Sequence, residues 1–557
     1  MHKSTRSHQR QATSEPSAPR RTAPRKRSLM AIAGLAALAL LTAACGSSGS
    51  SGKATTASSA PSGTPTTSSK TLYLQFVGPP QSLSPGDGSN LTSSFFYSLD
   101  YDPLIYDEPN GTFAPDLATS WSYVGTGNKV FQLTLRSGVH FTDGTALTAT
   151  AVKNSLEYVK STGQGQSSLL TNLASVDVTG PMTVVLHFSA PTPDLPFLLS
   201  QDEVVGDIIG PQGLAHPSSL DTSSDGAGAY KLDFSQTVTN SQYTYVPNPS
   251  YWDQKAIHFA AIVIKVITAP TSVVAAMQSN QVQYGVVDPR TAAGLAGSNI
   301  RIVNIPATWW SLDLADRNGQ VSKPLADVRV RQALNYAINR ATIATALYGK
   351  YGQALDEIAV PGTNAYVSSD ASYYTYDPAK AKQLLAAAGY PNGFTLSAMD
   401  WSLLDPNNEV AQSVASELAA VGVKVTITNV TNPTQFGTDA LSKKYPAIFF
   451  PPLSENMDEA AVQLFTPNTP LDPFSSKNAQ LTTMLNTAAA DPPSQAAALY
   501  QQVQTQVQQA GWFVPIATDP SISLFSPDLG NATVSAANPD ADPVNPTSPT
   551  AGWYFTS

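Results

Sequence analysis

Two periodicities alternate along this chain, and together they confine it to layered α/β lobes. From Thr71 onward, Leu72, Leu74 and Phe76 recur at every second residue, and Phe131-Gln132-Leu133-Thr134-Leu135 does the same. That spacing belongs to strands with one buried face. Ile262-Val263-Ile264-Lys265-Val266-Ile267 is denser, the pattern of a strand covered on both faces. Helical stripes lie between. Asp377-Pro378 supplies an N-cap and a first-turn proline, Ala381, Leu384, Leu385 and Ala388 line one face, and Gly389 and Pro391 end it. Val410, Val414, Leu418 and Val421 form another stripe, stopped by Gly422 and followed at once by the strand pattern Val423–Ile427. Val330, Leu334, Ala337 and Ile338 make a third behind Asp327. Such interleaving builds α/β layers, not a sandwich or a bundle. At 557 residues the chain exceeds the needs of one core, so two or three lobes are expected.

The first 70 residues are of another kind. A basic stretch ends in Arg25-Lys26-Arg27, and an apolar run, Leu29 to Leu41, follows. That run is too short for a bilayer span of ~20 residues and has the length of a signal-peptide core. Thr42-Ala43-Ala44-Cys45-Gly46 then resembles a bacterial lipobox, in which Cys45 is lipidated and becomes the mature N-terminus. Thr42 stands where a branched aliphatic residue is usual. A plain secretory signal with an incidental cysteine is the other reading, and Arg20-Arg21 leaves a twin-arginine route open beside the general one. Residues 46–70 are Ser, Gly, Thr, Ala and Pro almost throughout, a composition that buries no core. As a flexible tether they would span roughly 25–30 Å.

Composition excludes several function classes. Residues 1–44 hold eight of the 31 Lys and Arg and one of the 40 Asp and Glu, leaving the remainder at net −16. So acidic a body does not suit nucleic acid or anionic lipid. The single cysteine, Cys45, rules out an intramolecular disulfide, a cysteine-based zinc site and a cysteine nucleophile. No Gly-x-Ser-x-Gly elbow, His-Glu-x-x-His or phosphate-cradling loop occurs, so no enzyme is expected and no cofactor. Beyond the leader the histidines are His140, His187, His216 and His258, too few and too scattered for a dedicated metal site.

Seven segments, in order, resemble the extracytoplasmic solute-binding proteins of family 5, the binders of dipeptides, oligopeptides and nickel. They are Ser82-Leu83-Ser84-Pro85; Tyr106-Asp107 with Leu117-Ala118-Thr119-Ser120-Trp121; Phe131 to Gly144; Gly226-Ala227-Gly228-Ala229-Tyr230; Asn248-Pro249-Ser250-Tyr251-Trp252; Val328 to Arg340; and Tyr376-Asp377-Pro378 through Ala388-Gly389-Tyr390-Pro391-Asn392-Gly393. Most of these residues read as structural: Asp143-Gly144 as a turn, Arg329 and Arg331 as ion-pairing residues of their own lobe, Tyr251-Trp252 as strand-end packing.

The resemblance implies a type II periplasmic-binding-protein fold, with two lobes around a hinged cleft and the first lobe enlarged by an extra subdomain. It places the first lobe at 71–105, 225–305 and 510–557, the inserted subdomain at 106–224, and the second lobe at 306–509. It implies an ABC importer's capture protein, monomeric and held outside the membrane by lipid on Cys45, with a permease and its ATPases as partners. A family member acting as a ligand sensor or surface accessory protein is the alternative. Trp309 and Trp310, at the crossover between lobes, and Trp401, after a second-lobe strand, are candidate ligand contacts. Phe96 is a further one, with core packing as its alternative. Peptide binders of the family carry an Asp-Pro stretch whose aspartate pairs with the α-ammonium; here Pro451-Pro452-Leu453-Ser454-Glu455-Asn456-Met457-Asp458 stands in its place. Glu455 or Asp458 is left to supply the charge, and oligosaccharide or metal-chelate cargo stays open beside an oligopeptide.

Overall fold

The computed structural model describes residues 67–557 apart from 89, 362, 404, 406, 453–456, 536–541, 549 and 557. The leader, Cys45 and the tether up to residue 66 lie outside the described residues. No helix among the described residues is long and apolar enough to cross a membrane.

Ten strands form one large mixed sheet: β1 (Thr71–Phe76), β2 (Tyr230–Leu232), β3 (Gln242–Pro247), β4 (Ala261–Val266), β5 (Tyr284–Val287), β6 (Arg301–Asp313), β7 (Phe394–Trp401), β8 (Val423–Val430), β9 (Ala447–Phe450) and β10 (Phe513–Phe525). Their spatial order is β8-β7-β9-β6-β10-β5-β1-β4-β3-β2. The apolar alternation read in β1 buries Leu72, Leu74 and Phe76, and β4 buries Ile262, Val263 and Ile264 consecutively. β1 and β4 pair in parallel, as do β7 and β8, while β6 and β10 run antiparallel over their full length.

Local signals set the helices. Asp377 accepts from the amide of Lys380 at 2.8 Å and starts the helix Pro378–Ala387. Asp327 likewise caps Val328–Tyr336, accepting from Arg329 N at 2.9 Å. The second stripe becomes Glu409–Ala420, with Val410, Ala411, Val414 and Leu418 buried. On one side of the sheet β1–β5 carry an aromatic core that includes Phe95, Phe96, Tyr284, Phe525 and Trp553. At the other end β7–β9 are covered on both faces, by Trp310, Leu334, Val414 and Phe449 on one and by Trp309, Trp401, Phe436, Phe450 and Tyr500 on the other.

A separate four-stranded antiparallel sheet orders Ala118–Tyr123, Val130–Leu135, Thr183–Phe188 and Leu173–Gly180. The helix Ala149–Thr162 belongs to its core, which holds Phe131, Leu133, Val152, Leu156 and Val159. Arg329 pairs with its own cap Asp327 at 2.6 Å, and Arg331 donates to the carbonyls of Leu325 and Ala510. Tyr251 is buried, and Trp252 donates to Asp102 at 2.9 Å under the Arg136 guanidinium.

Candidate ligand-binding cleft

Two strands pass from one end of the large sheet to the other. β10 pairs with β5 through residues 522–525 and with the first half of β6, then continues beside the second half of β6, which itself pairs with β9. Midway, Pro306 faces Pro520, and the β6–β10 register shifts between Pro306 and Thr308 and again between Trp310 and Ser311. Neither proline offers an amide hydrogen, so the ladder is interrupted where the two ends of the sheet meet. Trp309 and Trp310 lie beside this break in the ladder.

The two tryptophans take opposite faces, as neighbours on a strand must. Trp309 is fully buried, edge-on to Phe513 with ring centroids 6.4 Å apart. Trp310 packs on the other face with Leu312 and Leu334 and donates to half-buried Asp519. Burial pushes Asp519 up to about 7 despite that hydrogen bond, and nearby Asp405 adds to the rise. Trp401, at the carboxyl end of β7, lies edge-on to Phe436 at 4.6 Å, and Phe436 stacks on Phe450 at 5.4 Å. Trp309 and Trp401 therefore share one cluster with Phe450 and Met457. Their indole nitrogens are both buried with no hydrogen-bond partner, as is Ser311 Oγ on β6. All three lie where β7 and β9 end against the crossing strands, the edge at which open α/β sheets take ligands.

Phe96 lies in the first-lobe core, against Phe76, Phe95 and Tyr243. The structure thus brings Trp309 and Trp401 together and sets Trp310 and Phe96 in other clusters. Glu455 lies outside the described residues. Asp458 is the second residue of the helix Met457–Phe465, and its side chain lies outside them too. The helix is anchored by Met457 N donating to Asn364 at 3.0 Å.

Sequence reasoning missed a polar network behind Trp401. Asn408, at φ 54°, exchanges amide hydrogen bonds with Asn429 at 2.8 and 2.9 Å and also donates to Asp400, which accepts from Ser402 at 2.8 Å. Burial lifts Asp400 to about 6. Asp405 caps the next helix through the amides of Glu409 and Val410 at 2.8 and 2.9 Å. Across the molecule, Arg290 meets Glu409 at 2.5 Å, and Asn128 donates to the carbonyls of Ala489 and Asp491. These contacts join segments far apart in the chain, with Arg290 and Asn128 on one side and Glu409 and the helix Ala479–Ala490 on the other. Only the Asp405-Pro406-Asn407-Asn408 run hinted at any of this in the sequence, as turn residues.

Among the described residues no group of three or more His, Cys, Asp or Glu is placed to hold a metal ion. His187 sits beside Asp177 at 3.1 Å on an exposed strand pair, and His258 is buried with Nδ1 2.9 Å from Trp553 O.

The family model described as bacterial extracellular solute-binding proteins, family 5 middle, matches residues 112–469. The glutathione-binding protein GsiB of Salmonella paratyphi A is 25% identical over 488 residues, covering 84% of this chain and 92% of that protein. NikA from Brucella suis, solved with Fe(III)-EDTA, superposes with a TM-score of 0.72 at 20% identity, covering 86% of this chain and 99% of its own. DppA from Helicobacter pylori, solved with the peptide STSA, gives a TM-score of 0.68 at 19% identity over 88% and 98% of the two chains. The fold they share with this chain is that of the type II periplasmic binding proteins.

Proposed function

Since the chain belongs to the bacterial extracellular solute-binding proteins of family 5, we propose that it captures a peptide or peptide-like solute by lobe closure and delivers it to an ABC permease and its ATPases. The observation that carries this reading is the pair of crossing strands, β6 and β10, interrupted at Pro306 and Pro520, with unsatisfied donors at its second-lobe side. A ligand that touches both lobes shifts such a molecule toward its closed population.

We assign Trp309 and Trp401 as ligand contacts. An indole N–H donates and cannot accept, so the ligand atom it meets is a carbonyl or carboxylate oxygen. A buried donor with no partner costs about 1–3 kcal/mol, which closure around an acceptor-bearing ligand would relieve. The resemblance to a glutathione-binding protein supports the same class, since a peptide carries both kinds of oxygen. Glu455 and Asp458 are assigned to a cationic group of the ligand, in the absence of the Asp-Pro pair. Trp310 and Phe96 shape the hinge and the first-lobe wall.

Lipid on Cys45 would anchor the protein outside the membrane, and residues 46–70 would give it reach. The lobes are proposed at 71–105, 225–305 and 510–557 for the first, with 106–224 inserted, and at 306–509 for the second. Native mass spectrometry of the freshly purified protein tests capture directly. We expect a retained mass in the range of a short peptide, released on denaturation. A protein that carries nothing, and that neither closes nor gains thermal stability with glutathione, trialanine, oligosaccharides or metal chelates, would overturn the reading.

A further inference from the structure

We propose that Asn128 is a closure latch, a side-chain amide on the inserted layer that caps a second-lobe helix only when the lobes are shut. The hairpin joining Ala118–Tyr123 to Val130–Leu135 turns through Gly125 and Gly127, at φ 79° and 85°, and ends on Asn128 at φ 49°. Asparagine is one of the few residues besides glycine that enters this region readily. The position is braced from behind. Asn128 O accepts from Thr192 N at 2.9 Å, and Tyr123 OH donates to Thr192 O at 2.6 Å.

From this platform Nδ2 donates to Ala489 O at 3.0 Å and to Asp491 O at 2.9 Å. Both oxygens belong to the end of the helix Ala479–Ala490, where the last carbonyls have no partner of their own. Two acceptors face the side chain, so only its amide nitrogen fits there. The negative end of the helix dipole favours a donor at the same spot.

The partners belong to bodies with separate cores. The hairpin contributes Phe131 and Leu133 to the inserted layer's core, whereas the helix contributes Leu481, Met484 and Ala488 to the second lobe's. A second contact across the proposed cleft, Arg290 with Glu409, is largely exposed on the arginine side, and salt screens it. Asn128 is 7% exposed, so water competes poorly for its two bonds. When the lobes part, the amide and both carbonyls regain water. The latch therefore biases closure without locking it, and ligand release stays possible.

The test uses the full chain with Cys45→Ser as background and spin labels at Gln132→Cys and Gln495→Cys, both exposed positions. The inter-lobe distance distribution is read in ligand-free protein, so the result does not depend on which solute is captured, and a failure here leaves the capture reading standing. Asn128→Asp and Asn128→Gly both tolerate the positive φ and both lose the donor, which separates the latch from backbone strain; circular dichroism checks that each is folded. We expect a short-distance population in the wild type that persists in 1 M NaCl. In both variants the closed-to-open ratio should fall roughly three- to tenfold, the effect of one or two modest hydrogen bonds. Unchanged distributions in the variants, a wild type that opens in salt, or a wild type already open would each overturn the proposal.

Discussion

At the scale of single residues, several buried polar atoms among the described residues, including the indole nitrogens of Trp309 and Trp401, lack a hydrogen-bond partner. Trp309 and Trp401, with Ser311, have orphaned atoms at the proposed cleft. Trp309→Phe and Trp401→Phe keep an aromatic ring and remove the donor, but they also delete one ring of a fully buried indole, so the fold should survive with a lowered melting temperature. Affinity for the captured solute should drop about 5- to 30-fold in each, as expected for a lost hydrogen bond of 1–2 kcal/mol; calorimetry would show it. Buried carboxylates are the second group. Burial lifts Glu357 to about 8, Asp313 and Asp519 to about 7 and Asp400 to about 6, and raises Asp100, Asp116 and Asp207 as well. A carboxyl whose folded pKa exceeds its unfolded one keeps its proton in the native state where the unfolded chain has released it. Its contribution to stability is full below about pH 4 and is lost as pH rises through the folded value. The urea midpoint is therefore expected to fall between pH 5 and pH 8, and Asp519→Asn should flatten that slope. A midpoint that rises over the range would contradict the assignment.

At the scale of elements, the family motifs resolve into backbone geometry. Gly393 precedes β7 and Gly422 precedes β8, at φ 73° and 94°. A Cβ on Gly393 would lie 1.8 Å from Gly422 O, so the parallel pair can begin only with no side chain there. Gly389 ends the preceding helix at φ 93° with open space around it. Gly393→Ala should cost about 3 kcal/mol or more and Gly389→Ala about 1–2 kcal/mol, measured by denaturant unfolding. Equal losses would mean that positive φ alone explains both. Helices and strands of this kind were legible in the sequence because their causes are local: Asp377 and Asp327 sit one residue before the helices they cap, and β1 shows its buried face in three alternate residues. The break in β6 was not, because Pro306 matters only opposite Pro520, more than 200 positions away.

At the scale of the whole molecule, the proposed lipid anchor on Cys45 makes one prediction. With Cys45→Ala the protein should leave the membrane fraction for the medium or soluble extracytoplasmic fraction while keeping its melting temperature, and a metabolic lipid label should vanish from it. Membrane retention of that variant would reject the anchor. What the sequence alone determined was the class: α/β lobes and the ordered motifs of the family, carried by near neighbours in the chain. What tertiary structure decided was which residues work together. Asn128 and Asp491 lie 363 positions apart and Arg290 and Glu409 lie 119 apart, so neither contact leaves a trace in local pattern. The tryptophans could be named from the sequence, but whether an indole N–H finds a partner depends on the packing of strands that are remote in the chain. Burial and pairing belong to the assembled fold.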